Sequence, residues 1–193
     1  MVEKTHTAAV DADFVFHVAE IERPPKQVAE ILKQILESLE LHAVVHPLVY
    51  DKELAIKSGT VSMLFSENAI RSLSFEQDIF QSDPGRETYY RFLVPELYQR
   101  LMGTSLPNNA DVVTYWKRQS SLGEVHSVAM CLICGFGLFL SDDRDSKALK
   151  RIVEQQSLGQ INIYNRQEVL DQCSDACGLP RADRKAFAHQ VRD

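Results

Sequence analysis

Hydrophobic residues along this chain fall into short blocks whose spacing separates strands from helices. The clearest block is Lys26 to Leu41, where Val28, Ile31, Leu32, Ile35, Leu36 and Leu39 follow a 3-1-3-1-3 spacing. That spacing puts one apolar stripe on an amphipathic helix. Pro24 and Pro25 stand before it, where proline is tolerated in a first helical turn. Upstream, Thr7 to Val10 is a short apolar strand ending at Asp11, and Phe14, Val15, Val18 and Ile21 have helical spacing behind Asp13. Downstream, His42 to His46 is a second strand, closed by Pro47, and Leu48 to Ile56 begins a helix that carries Glu53.

The second half repeats the alternation. Gly123 and Glu124 open a helix bearing Val128, Ala129, Cys131, Leu132 and Ile133, which Gly135 and Gly137 break. Phe136 to Leu140 is too short for a helix and is bounded by turn residues, so it reads as a buried strand. An acidic loop follows, Ser141-Asp142-Asp143-Arg144-Asp145, and then a helix from Ser146 to Gln155. Ile161 to Tyr164 is the last strand. Asn165 and Glu168 form a variant of the capping box that starts the next helix. The tail from Pro180 has Ala186, Phe187 and Val191 for one weak helix. Between the halves, Thr60 to Phe65 fits either a strand or a helix start, and Glu87 to Met102 looks helical despite Pro95. The stretch 57–110 reads as a mostly helical insertion or cap. Strands alternating with helices predict an α/β fold with a mainly parallel sheet covered on both faces, in a single domain spanning residues 1–193.

Composition narrows the function. The chain has 193 residues and a net charge of -6, which argues against a broad basic surface for nucleic acid but leaves room for a local basic rim. No apolar run approaches the ~20 residues that span a bilayer. The first residues lack a signal-peptide core, so the expected location is the cytoplasm. Cys131, Cys134, Cys173 and Cys177 admit two readings, a four-cysteine zinc site or small buried hydrophobes. The second is favoured because Leu132 and Ile133, not turn residues, separate the first pair. Arg86, Tyr89, Tyr90, Arg91, Tyr98 and Arg100 offer aromatic and basic groups that could clamp a single strand. A core stripe with a solvated face is the commoner origin of such a set.

The candidate chemistry lies in acids placed by the predicted fold. Asp11 ends the first strand, Glu53 follows the second, Glu124 starts the helix before the third, and Asp142 and Asp143 follow the third. Ligands of open parallel sheets bind beyond the carboxyl ends of the strands, so these acids converge on one end. Taken singly, each has a plain structural role as a cap, turn or solvated residue. Taken together, they make an oxygen-only set suited to Mg²⁺ or Mn²⁺, with pKa values raised by mutual repulsion when no ion is bound. His42 and His46 flank a strand and read as structural. His126 lies in the first turn of the helix opened by Glu124 and reads as a core or surface residue that could reach the site. No nucleophile motif, phosphate-cradling loop or dinucleotide fingerprint is present.

The joint order of these pieces resembles the PIN-domain family of metal-dependent ribonucleases, which includes toxins of bacterial type II toxin–antitoxin pairs. Ala9-Val10-Asp11-Ala12-Asp13 is similar to the family's opening strand and its acid. The stretch from Val45 to Leu54 is similar to its glutamate-bearing segment. Gly123-Glu124 looks like its third acidic position, and Leu140 to Asp145 looks like its closing strand and loop. The resemblance covers about residues 7–56 and 112–172 and implies a three-layer sandwich. It also implies a Mg²⁺- or Mn²⁺-dependent endoribonuclease whose ions are held by Asp11, Glu53, Glu124 and Asp143, with Asp142 as the loop's second candidate. Within the loop, Asp143 matches the spacing best, Asp145 is a candidate outer-shell group, and Ser141 could hold a carboxylate by its hydroxyl. The implied partners are an RNA substrate, an antitoxin covering the acidic cleft, and a second copy of the chain, for which the helix Lys26–Leu41 offers a surface. Two alternatives remain open: a PIN-like scaffold that binds RNA or protein without cutting, and an unrelated α/β phosphate-handling enzyme with a sheet not centred on the Asp11 strand.

Overall fold

A computed structural model describes residues 6–57, 59–118, 120–173 and 177–188. Its centre is a five-stranded, all-parallel sheet in the order β3-β2-β1-β4-β5. The strands are β1 (His6–Val10), β2 (Leu41–Val45), β3 (Ile70–Ser72), β4 (Leu138–Leu140) and β5 (Asn162–Tyr164). Parallel strands need crossovers, and the crossovers cover both faces. Ala8, Val10, Ala43, Val45 and Leu140 point to one face. There they meet α1 (Ala12–Ala19), α2 (Pro25–Ser38), α4 (Thr60–Ser66), α8 (Arg166–Gln172) and α9 (Arg181–Ala188). Ala9, Val44, Phe139 and Ile163 point to the other, against α5 (Pro84–Met102), α6 (Leu122–Cys134) and α7 (Arg144–Gln155). The result is three layers with a hydrophobic core on each side of the sheet.

The stripe on α2 behaves as its spacing predicts. Val28, Ile31, Leu32, Ile35 and Leu36 are buried, each contributing roughly 1.5–3 kcal/mol by leaving water. That face packs on the sheet and on α4, so α2 has no apolar side left to offer a second copy. The segment 57–110 is helical in α4 and α5, but it also supplies β3, so its first part is a crossover within the sheet. Thr60–Phe65 belongs to α4. Behind Pro47 a short α-turn, α3 (Pro47–Val49), runs into a π-helical turn, Tyr50–Leu54, closed by the Ala55 amide donating to the Tyr50 carbonyl at 2.7 Å. Helix α5 passes through Pro95 without ending.

The cysteine pairs lie on opposite faces. Cys131 and Cys134 belong to the core under α5–α7, and Cys173 and Cys177 to the core under α2 and α9. The sheet between them rules out a shared four-cysteine site. Residues 174–176, between Cys173 and Cys177, lie outside the described residues, as does Val191 of the expected last helix. Among the described residues, no helix is long and apolar enough to cross a membrane.

The links β1→β2→β3 run over one face, and the helices leading to β4 and β5 pack on the other, so the winding reverses between β1 and β4. Such a reversal opens a crevice at the carboxyl ends of the two strands. Asp11 and the Ser141–Asp145 loop stand at its lips, with the Asp11 amide donating to the Leu140 carbonyl at 2.9 Å.

The capping box at α8 is formed in full. The Glu168 amide donates to Asn165 Oδ1 and the Asn165 amide to Glu168 Oε2, both at 2.8 Å. Asn165→Ala is expected to lower unfolding stability by about 1 kcal/mol, read as a lower urea midpoint with an unchanged slope. An unshifted midpoint would show that the box contributes nothing.

Candidate functional site

The crevice between β1 and β4 gathers carboxylates from four elements. Asp11 is almost fully buried (2 % exposed). Its Oδ1 accepts the Ala12 amide at 2.8 Å, capping α1, and its Oδ2 accepts the Ser141 hydroxyl at 3.1 Å. Ser141 Oγ in turn accepts the Asp143 amide at 3.1 Å and meets Ser146 Oγ at 2.7 Å. Because Ser141 has one proton and gives it to Asp11, Ser146 is the donor of that last bond. This buried serine pair ties the acid after β1 to the loop after β4.

Glu53 comes from the π-helical turn, a local geometry that recurs at functional sites. Its carboxylate lies against α6 at Gly123, where an added Cβ would stand 3.1 Å from Glu53 Oε1 and 3.5 Å from the Trp116 ring. Glycine in a helix costs about 1 kcal/mol relative to alanine. Here it leaves room for the carboxylate. Glu124 follows in the first turn of α6, at the positive end of the helix dipole. Ser121, before that turn, donates to Asp145 Oδ2 at 2.6 Å, so Asp145 anchors α6 to α7.

Electrostatics show which acids face one another. Burial raises the Asp11 carboxyl well above its ordinary value, and Glu124, Asp13 and Glu53 add to the rise. Glu124 is pushed up to about 8, first by burial, then by Asp143, Glu53 and Asp13, against the opposing bond from its own amide. Glu53 is raised by burial and by Asp13. Asp13 is raised by burial and by Asp143, with Asp142 adding to the rise and His17 opposing it. Asp11, Asp13, Glu53, Glu124 and Asp143 therefore form one mutually repelling set. Asp13 reads from sequence as a turn residue or a helix cap and was not among the expected site acids. The available signal was its place one residue inside the helix that Asp11 caps.

Asp142 turns elsewhere. Its Oδ2 accepts Arg166 Nε at 2.6 Å and bonds His17 Nδ1 at 2.8 Å, while its Oδ1 accepts the Arg166 amide at 3.1 Å. With both oxygens engaged, it joins α1, the loop and α8. Asp143 uses only Oδ1, accepting the Asp145 amide at 2.7 Å as the cap of α7. Among the described residues, no three His, Cys, Asp or Glu side chains are drawn close enough to hold a metal ion. The donor set fits a hard cation in chemistry, since all five groups are carboxylates.

His126 does not face the acids. Its ring is buried, stacks on Trp116, and bonds Tyr90 Oη and the Tyr115 carbonyl. The aromatic and basic set on α5 does not form a clamp either. Tyr90 and Tyr98 are core residues, Arg86 donates to the carbonyls of Ile79 and Ile133, Arg91 pairs with Glu87 and Asp111, and Arg100 pairs with Glu96.

Comparison with family models, with curated proteins and with solved structures finds no significant match. The chemistry of the site is therefore argued from its own geometry.

The raised carboxyls fix a sign for stability against pH. A carboxyl whose folded value exceeds its unfolded one stabilises the fold fully below the ordinary range and loses that stabilisation as pH rises through the folded value. For Glu124 the loss is spread between about 4.5 and 8. Buried His46 and His126, both lowered by burial and the second to about 4, act in the opposite sense, withdrawing stability as pH falls below about 6.5. Between about pH 6.5 and 8 the acids dominate. In chelator, the protein is expected to lose stability across that window, and Glu124→Gln to remove most of the slope in urea titrations. An equal slope in the variant would contradict the coupling.

Proposed function

We propose that this chain is a PIN-like endoribonuclease that hydrolyses RNA phosphodiester bonds with Mg²⁺ or Mn²⁺. The observation that carries the reading is the set of five carboxylates, from four elements, gathered where the sheet's winding reverses, whose charges raise the carboxyls of Asp11, Asp13, Glu53 and Glu124 beyond what burial alone does. Repelling acids are costly to bury together and cluster mostly where function requires them. The sheet order supports it as well, being centred on the Asp11 strand. Asp11, Glu53, Glu124 and Asp143 are the proposed ion holders, with Asp13 beside them. When bound, one or two ions would supply Lewis-acid activation of water and neutralise charge on the phosphate.

The chain's own residues supply placement. Ser141 fixes the Asp11 carboxylate, Gly123 admits Glu53, the Ser121–Asp145 bond sets α6 against α7, and Asp142 with Arg166 holds the loop so that Asp143 faces inward. Arg144 is exposed and makes no ion pair among the described residues, which suits contact with a phosphate backbone, whereas Lys147 is engaged by Glu168 at 3.6 Å. An antitoxin-type protein and a second copy of the chain are the further partners this reading implies. The alternative, a PIN-like scaffold that binds RNA or protein without cutting, draws on the carboxylates standing apart from a closed ligand set.

Calorimetric titration with Mn²⁺ on wild type and Asp11→Asn, followed by cleavage of a mixed RNA, separates the two. The nuclease reading expects binding and cleavage by wild type, and loss of both in Asp11→Asn. Folded wild type that binds no Mn²⁺ would leave the scaffold.

A further inference from the structure

The stretch that joins α5 to α6 carries Trp116-Lys117-Arg118, three residues to which the acidic centre assigns no task. Trp116 is the chain's single tryptophan. Its ring packs against the cores on both faces of the sheet, a place available at the rim of the sheet and not beneath either face. One support is His126, on which the indole stacks with 6.4 Å between centroids and 17° between planes. The other is Gly123. A Cβ there would stand 3.5 Å from Trp116 Cη2 and 3.1 Å from Glu53 Oε1. The edge of the indole and the Glu53 carboxylate therefore border the same gap, which a side chain at 123 would fill.

The backbone on either side is held. The Tyr115 carbonyl accepts His126 Nε2 at 3.3 Å, and the Lys117 carbonyl accepts the Ser120 hydroxyl at 2.7 Å. The polar side-chain groups are left open. A buried indole N–H ordinarily finds an acceptor, but Trp116 Nε1 has none among the described residues and is not sealed from solvent. Lys117 and Arg118 are exposed and form no ion pair among the described residues. Arg144 shares this state, and the bond from Ser121 to Asp145 Oδ2 at 2.6 Å ties its loop to the segment that follows Arg118. The chain has 27 acids against 21 lysines and arginines. Carboxylate partners are plentiful, yet these cations stand without one beside the acidic crevice.

We propose that Trp116, Lys117 and Arg118 form a nucleotide subsite beside the acidic centre, the indole taking a base of single-stranded RNA and the two cations the phosphates that flank it. The inference rests on the ribonuclease reading for the identity of its ligand. An aromatic ring already fixed by packing offers stacking area and loses little freedom on binding. Its open N–H adds a donor for an acceptor on the base edge. Cations on consecutive residues suit a backbone that carries one charge per nucleotide. Placed at the rim, they offset the repulsion that the acids exert on an incoming phosphate. Paired bases in a duplex remain stacked on one another, whereas unpaired bases can be splayed onto an aromatic side chain, so the subsite selects single strands.

The lone tryptophan reports on its own site. Protein in chelator, which prevents cleavage, is titrated with a dye-labelled single-stranded RNA of mixed sequence, reading tryptophan emission and RNA anisotropy together. Wild-type emission is expected to fall as RNA saturates. Trp116→Leu is expected to bind about 5- to 100-fold more weakly, and Trp116→Phe, which keeps a ring, to recover most of that loss. Lys117→Ala combined with Arg118→Ala is expected to flatten the dependence of log affinity on log salt by about 0.7 for each cation. Emission unmoved by saturating RNA, or equal affinity in wild type, Trp116→Leu and the double variant, would overturn the subsite. Equal weakening in Trp116→Leu and Trp116→Phe, the mark of lost packing, would overturn it too. Mn²⁺ titration of the same proteins keeps the two claims apart. Equal Mn²⁺ affinity in wild type and Trp116→Leu, with RNA affinity lost only in the variant, supports the subsite. Trp116-dependent RNA binding by a protein without Mn²⁺ affinity would also support it, and would sink the nuclease reading alone.

Discussion

Carboxylates that share a pocket with little water repel one another more strongly than they do in solvent, and this repulsion shapes the crevice end of the protein. Asp11, Asp13, Glu53, Glu124 and Asp143 come from four elements, and all but Asp13 are held by a different neighbour. Ser141 holds Asp11, the close approach at Gly123 admits Glu53, the Ser121–Asp145 bond places the helix of Glu124, and the cap of α7 fixes Asp143. Burial, and after it the charges of Asp143, Glu53 and Asp13, pushes Glu124 up to about 8. Charge, burial and restraint balance only where the fold supplies all three.

Most of the scaffold was legible because hydrophobic period maps directly onto element type. The α2 stripe, the strands at β1 and β2, the capping box at Asn165 and the helix after the acidic loop all carry local signals, and all were placed within a few residues. Edge strand β3 was not, since Ile70-Arg71-Ser72 holds one apolar residue and so makes no apolar run. The turn bearing Glu53 reads as a helix start from sequence. Its π-helical form, closed by the Ala55 amide on the Tyr50 carbonyl, is not encoded by any local pattern.

The site was legible as a set of acids and much less so as an arrangement. The difference between Asp142 and Asp143 depends on Arg166, a partner 24 positions away that engages Asp142. The bonds of Tyr90 were hidden for the same reason. Its place in a set with Tyr89 and Arg91 reads from sequence as a core stripe in preference to a nucleic-acid clamp, while its bonding partners lie 44 and 36 residues distant. The cysteines show the reverse case. Their spacing left zinc open, and the sheet running between the two pairs closes the question.

Crystals grown or soaked with Mn²⁺ and measured at the manganese absorption edge test the central claim most directly. The account predicts an anomalous peak in the crevice beyond β1 and β4, bounded by the carboxylates of Asp11, Glu53, Glu124 and Asp143, with Asp142 still bonded to Arg166. Well-ordered crystals without a peak there, or with manganese held only elsewhere on the molecule, would contradict it.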